Sequence, residues 1–320
     1  MMLARELLRA LAGYVLAAAA VALAVATLAF AAVQLAPGDI AFRVAEARYG
    51  ENMTVRSVDR IREAADLDKP VAVQYLRWVE AVFTGDLGRS IVSHRPVTPE
   101  VWRGFRSTLG VTALGVSLAL GIGLVLGFAA GFRRDSLLDR GFLATSAMLS
   151  SVPPFLIGMM LITLFAIRLH WLPAAGANLP GYYVLPSFTL ALALLPDLAR
   201  VVRNSAVRTM HEFFPTYARI KGQSWPRIVV FHALRPTLVP IIAFFGPLIA
   251  HAIGGLVVID VLFNLDGLGT VLIDSVLNAD IPLATGAGLF IGLFVVTVTA
   301  TTDILVRLLD PRTVSREAGA

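Results

Sequence analysis

The sequence predicts an all-α, polytopic membrane helix bundle of about six transmembrane helices, on three observations. Mean hydropathy is +0.76 over 320 residues. Charged residues make up only 15% of the chain, where soluble domains carry about a quarter. The apolar residues also fall in blocks too long for strands or ordinary core helices, and the basic residues gather in particular connecting segments.

Each span follows in order. The block 11–35 comes after Arg5 and Arg9, but at about 25 residues it exceeds the roughly 7–15 of a signal-peptide core, so it reads as an uncleaved first span. Five further blocks cover about 109–132, 142–167, 184–198, 237–262 and 282–306, the fourth being short. Arg133, Arg134 and Arg140 share one connection; Arg200, Arg203, Arg208, Arg219, Lys221, Arg227 and Arg235 share another. Both connections are expected on the cytoplasmic side. Segment 168–183 holds only Arg168, and 263–281 holds no Lys or Arg but has Asp266, Asp274 and Asp280. Cytoplasmic termini follow. The organisation expected is therefore an N-terminal segment and first helix at 1–36, an external lid at 37–108, a five-helix core at 109–308 containing a cytoplasmic loop at 199–235, and a tail at 309–320. Within the lid, Ser57 is expected to cap a helix through Ala65, and Val71, Tyr75, Trp78, Val79 and Val82 recur at helical spacing.

Several chemistries are excluded by their missing residues. Cysteine is absent, which removes thiolate metal sites and thiol nucleophiles. Lys69 sits in Asp-Lys-Pro and Lys221 in Ile-Lys-Gly, so no phosphate-cradling Gly-Lys-Ser/Thr loop exists and the chain is not itself a motor. His211-Glu212 continues Phe213-Phe214-Pro215, without the second histidine of a zinc helix. Gly115-Val116-Ser117 runs into Leu118-Ala119 and makes no nucleophile elbow. No catalytic, metal or nucleic-acid site is expected. Ion-coupled carriers keep ionisable residues near the bilayer midplane; here His251 is the candidate, and a neutral imidazole hydrogen-bonded between helices is its expected state.

A chain without a motor takes its energy from partners. The basic segment 199–235 is long for a bundle connection, and its centre reads Thr216-Tyr217-Ala218-Arg219-Ile220-Lys221-Gly222. Small Ala218 allows close approach, Gly222 permits positive φ, and Pro236 can start the next helix. A short helix over about 213–223 is expected to act as a knob for a partner's socket.

These residues resemble the membrane subunits of ATP-binding cassette importers, in the dipeptide, oligopeptide and nickel permease branch. The loop signature of that family is matched by Ala218, Arg219, Lys221, Gly222, His232, Pro236 and Pro240. Similar fragments are Leu35-Ala36-Pro37-Gly38-Asp39, Leu67-Asp68-Lys69-Pro70 with Gln74-Tyr75, Gly85-Asp86-Leu87-Gly88, Ser151-Val152-Pro153-Pro154-Phe155 and Asp310-Pro311-Arg312. The chain departs from the family at Thr216, Ile220 and Asp266, and keeps only Asp280 and Pro282 of an external Arg-Asp-Tyr-Pro fragment.

The resemblance implies a type I importer in the bacterial inner membrane. Two related permeases form the pathway, two cytosolic ATPases with ATP and magnesium drive it, and an extracytoplasmic binding protein delivers substrate. This chain would carry no cofactor of its own and would contact lipid. Its cargo would be a peptide, with nickel or another small solute as the alternative and an ion-coupled carrier as the rival class. Pro153 and Pro154 are expected to bend the third span, and Gly246, Gly254 and Gly255 to allow close helix approach in the fifth. With Ser151, Phe155 and His251, Pro153, Pro154, Gly246 and Gly254 are the pathway candidates.

Overall fold

The computed structural model describes residues 2–35, 37–176, 180–210, 221–224, 227 and 234–309. In chain order the helices are α1 (Met2–Leu35), α2 (Ile40–Tyr49), α3 (Val55–Ala64), α4 (Val71–Thr84), α5 (Val97–Phe132) and α6 (Leu137–Ser150). There follow α7 (Pro154–Leu161), α8 (Val184–Met210), α9 (Leu234–Ala243), α10 (Phe245–Leu262), α11 (Leu268–Leu277) and α12 (Ile281–Leu309). Among the described residues there is no strand, only an isolated bridge between Arg89 and Pro96.

Among the described residues, five stretches are long and apolar enough to cross a bilayer: Ala12–Leu35, Val97–Phe132, Gly181–Met210, Pro236–Leu262 and Ile281–Leu309. The sixth is broken. Leu137–Ser150 and Pro154–Arg168 meet at 96°, so the single third span expected at 142–167 is two helices. Pro153 and Pro154 cannot donate to the carbonyls of Leu149 and Ser150, and the Leu149 carbonyl instead takes the Val152 N–H at 3.2 Å. Beyond α7 the chain loosens into a π-helical turn at Ile162–Arg168. The fourth span also differs from expectation, because helix continues through Arg200, Arg203 and Arg208 to Met210.

The chain divides into two compact units, residues 1–109 with 264–296, and 110–263 with 297–320. The first holds segment 37–108, for which an external lid was the expectation. Thr54, not Ser57, caps α3: its hydroxyl accepts from Ser57 N while Ser57 Oγ accepts from Thr54 N, a reciprocal capping box. In α4, Val82 is buried and Tyr75 and Trp78 half-buried, but Val71 is exposed. Gln74 Nε2 donates to the carbonyls of Leu67 and Lys69, at 3.2 and 2.8 Å, and its Oε1 accepts from Gln34 of α1. Phe30 meets Tyr75 edge-on at 5.5 Å. Since Thr27 Oγ1 spends its proton on Leu23 O, the 2.8 Å contact with Tyr75 is donated by the phenol. Arg43 of α2 donates to the Val276 and Leu277 carbonyls at 3.1 and 2.9 Å, placing a cation on the negative end of α11. Gly288 and Gly292 of α12 leave room for Val25 and Val21 of α1.

Asp280 fastens this unit. It is buried at 2% exposure, accepts from Ser90 Oγ, Ile91 N and Val92 N, and caps the start of α12 through Leu283 N. Asp280→Ala strands those donors and is expected to destabilise the unit by about 3 kcal/mol, read as a lower thermal midpoint in detergent. Nearby, the Asp66 carboxyl is held below the usual carboxylate range by the hydrogen bond from Lys69, helped by the charges of Lys69 and Arg77. A lowered folded value means that ionisation favours the folded turn above the ordinary range and that the gain disappears as pH falls through the lowered value. Amide exchange at residues 66–69, corrected for intrinsic rate, is expected to quicken below about pH 4, and Asp66→Asn should abolish that dependence.

Candidate functional site

The second unit brings together the helices flanking the basic segment. Along α5, residues 115, 119, 123, 127 and 131 are Gly, Ala, Gly, Gly and Gly, a four-residue repeat of small side chains on one helix face. α8 lies against it. A Cβ on Gly115 would stand 2.9 Å from Leu190 Cδ2, one on Gly127 would stand 2.7 Å from both Ala199 O and Val202 Cβ, and one on Gly131 would stand 2.8 Å from Ala206 Cβ. Ala119, Leu198, Ala199, Val202 and Ala206 are fully buried in the seam. The repeat is visible in the sequence but was not among the expected features, which looked for close-packing glycines only in the fifth span.

Two of the arginines counted as loop charges belong to this packing. Arg203 forms a bidentate pair with Asp139 of α6, at 2.9 and 2.7 Å, with side-chain exposures of 15% and 2%. Asp139 also accepts from Asp135 N at 3.0 Å, and Ser136 caps the same helix. Arg200 donates to Asp197 at 2.5 Å and to Ser150 Oγ at 3.0 Å. These bonds fix both ends of α6 to α8 and explain why helix persists where the charge pattern suggested a loop. Breaking one partner of such a buried pair is more costly than the pair is stabilising.

α8 and α9 are tied where the basic segment leaves and returns. Ser205 Oγ donates to Thr237 O at 3.1 Å, and Thr237 Oγ1 donates to Thr209 Oγ1 at 3.2 Å, all three side chains being buried. Between these ties, Lys221 and Gly222 form a turn in which Gly222 has φ +76°, the left-handed region that glycine adopts without strain. Thr216, Tyr217, Ala218, Arg219 and Ile220 lie outside the described residues, as do His232 and most of the expected 213–223 helix. Pro236 is placed at the first turns of α9 with its side chain exposed.

The pathway candidates separate into two groups. Gly246 is buried, with Thr299 and Thr302 of α12 at 3.1–3.5 Å from its Cβ position, so it is a packing glycine. Gly254 has nothing within 4 Å and Gly255 only Pro154 at 4.0 Å. His251, for which a hydrogen-bonded position between helices was the expectation, is exposed on the surface of the chain. It shares an outward stripe with Pro240, Ala243, Pro247, Gly254 and Val258, spaced three or four residues apart. At the α6–α7 break, Ser151 returns its hydroxyl to Ala147 O at 2.9 Å, Pro153 and Pro154 set the bend, and Phe155 is exposed. Among the described residues no group of acids and histidines is placed to hold a metal ion.

A family model described as "Binding-protein-dependent transport system inner membrane component" matches residues 123–315, and its N-terminal companion, "Binding-prot-dependent transport system membrane comp, N-term", matches 7–112. The chain belongs to this family. Among its relatives, the glutathione transport system permease protein GsiC of Salmonella paratyphi A is 34% identical over 262 residues, covering 82% of this chain and 86% of the relative. A putative peptide transport system permease protein of Brucella abortus is 34% identical over 271 residues with the same coverage. The chain is thus a multi-pass membrane subunit of a binding-protein-dependent transporter, in a family of transport permeases.

The seam supplies a direct test. Gly127→Leu is expected to destabilise the second unit by about 1–3 kcal/mol through overpacking, whereas Gly121→Ala, with nothing within 4 Å of its Cβ position, should be neutral; thermal unfolding of the two purified variants makes the comparison.

Proposed function

We propose that this chain forms half of the translocation pathway of an ATP-driven importer of short peptides, receiving power through the segment that contains Gly222. The carrying observation is the left-handed Gly222 turn between two helices stapled by Ser205, Thr209 and Thr237. A push on that segment is delivered to α8 and α9 together, and from α8 through the glycine seam to α5. This is a two-state coupling in which the loop biases access to the pathway. The names of the Salmonella and Brucella relatives support peptides and glutathione as the cargo class; nothing in the chain favours nickel or ion coupling.

In this reading two cytosolic ATPases hold ATP and magnesium and grip the loop through Thr216, Tyr217, Ala218, Arg219, Lys221 and Gly222, with Pro236 opening the return helix. A second homologous permease completes the pathway and an extracytoplasmic binding protein delivers substrate. Both termini are cytoplasmic. The exposed Arg133, Arg134 and Arg140 between α5 and α6, against an acidic 263–281, support that orientation. The outward stripe of α9 and α10 with His251 and Gly254 lines the pathway, joined by Ser151, Pro153, Pro154 and Phe155 at the α6–α7 bend.

In the assembled transporter, Gly222→Val should insert normally but lose substrate-stimulated ATP hydrolysis, because a β-branched residue is strained at φ +76°; retained stimulation contradicts the coupling role. Gly254→Trp has free space to occupy and should leave thermal stability unchanged while cutting uptake severalfold; full uptake contradicts the pathway assignment.

A further inference from the structure

A cavity of about 220 Å³ in the first unit is walled by α1, the connection between α3 and α4, α4 itself, the 90–92 turn and the start of α12. Its inner wall is apolar. Phe30 and Ile281 are buried there, and Trp78 and Ile91 are half-buried. The outer wall carries Asp66, Lys69 and Arg77, all partly exposed. Side-chain to backbone bonds hold these walls in place. Gln74 Nε2 donates to the Leu67 and Lys69 carbonyls, and Asp280 accepts from the amides of Ile91 and Leu283.

The charges of the outer wall do not cancel. Lys69 Nζ and Arg77 Nη1 both reach the same oxygen, Asp66 Oδ2, at 2.7 and 2.5 Å. Two cations facing one carboxylate leave one positive charge in excess, and both cationic side chains keep unused N–H donors. An anion with a short apolar group suits such a surface: the anion meets the two cations, and the apolar group covers a wall that water alone would wet poorly. The volume lies below the roughly 300–1,000 Å³ of ligand pockets, so the space takes one small residue and not a whole oligopeptide.

We propose that the cavity takes the C-terminal residue of a short peptide, its carboxylate on Lys69 and Arg77 and its apolar side chain against Phe30, Trp78 and Ile91. The proposal rests on the peptide reading above and adds to it a site in the first unit, whereas the outward stripe of α9 and α10 belongs to the second. In the orientation proposed above, segment 37–108 meets the side from which cargo arrives. The site then favours peptides with a free carboxylate and an apolar last residue.

The test uses the full-length chain in detergent, with Gly-Leu, Gly-Leu-amide and Gly-Gly as probes and binding read by saturation-transfer NMR, which suits weak ligands. The unaltered chain should bind Gly-Leu about two- to fivefold more tightly than its amide, the difference expected of partly exposed charge contacts, and more tightly than Gly-Gly. Arg77→Gln leaves the Lys69–Asp66 pair in place and should lower the preference for the carboxylate while the amide binds as before. Ala65→Leu enlarges a side chain in the cavity wall and should weaken Gly-Leu severalfold. Equal binding of the acid and the amide by the unaltered chain, an unchanged preference in Arg77→Gln, or unchanged Gly-Leu binding in Ala65→Leu overturns the proposal. Such a failure leaves the proposed function standing, because that is read from ATP hydrolysis and uptake in the assembled transporter.

Discussion

Everything in the second unit depends on how closely α5 can approach α8. Lipid offers no hydrophobic drive for one apolar helix to choose another, so association in a bilayer rests on packing and hydrogen bonds. Gly115, Gly123, Gly127 and Gly131, with Ala119, supply a seam in which the α8 backbone and the side chains of Leu190, Val202 and Ala206 occupy the places of missing Cβ atoms. Once α8 is seated there, its arginines are within reach of α6, and its last turns are within reach of α9.

The polar contacts then follow a common logic. Two buried polar pairs sit where two helices must keep a fixed register: Asp139 with Arg203 between α6 and α8, and Thr209 with Thr237 between α8 and α9. In the first unit, Asp280 does the same for the start of α12 and the 90–92 turn. Such groups in an apolar setting are stable only when satisfied, so each acts as a register pin. Segment 37–108 carries in addition exposed ion pairs at Asp39, Arg62, Asp66, Lys69 and Arg77, which are individually weak.

Hydropathy made the membrane class and most of the spans legible, because a bilayer demands long apolar blocks and little else. It misread what depends on pairing. Arg200 and Arg203 looked like the beginning of a loop since an unpaired charge ends a span, but Asp197, Ser150 and Asp139 accept them and the helix runs on to Met210. Pro153 and Pro154 announced a bend, though not its size: with two donors removed in succession the helix stops, and 96° separates its parts. Ser57 and Thr54 both suit an N-cap, and only the reciprocal geometry shows which one holds the position. Of the site, the positive φ of Gly222 was legible from the glycine itself, whereas the outward position of His251 and the burial of Gly246 depend on tertiary packing that periodicity alone does not fix.

Ser205, Thr209 and Thr237 join α8 to α9 beside the segment proposed to receive the push, so the two helices are expected to move as one body. The most direct measurement is substrate transported per ATP hydrolysed, in the assembled transporter, with Ser205→Ala, Thr209→Val and Thr237→Val combined. Removing donors and acceptors together leaves few stranded groups, so stability is little changed and the loss of the tie is isolated. A severalfold fall in that ratio, with normal membrane insertion, is expected. An unchanged ratio would contradict it.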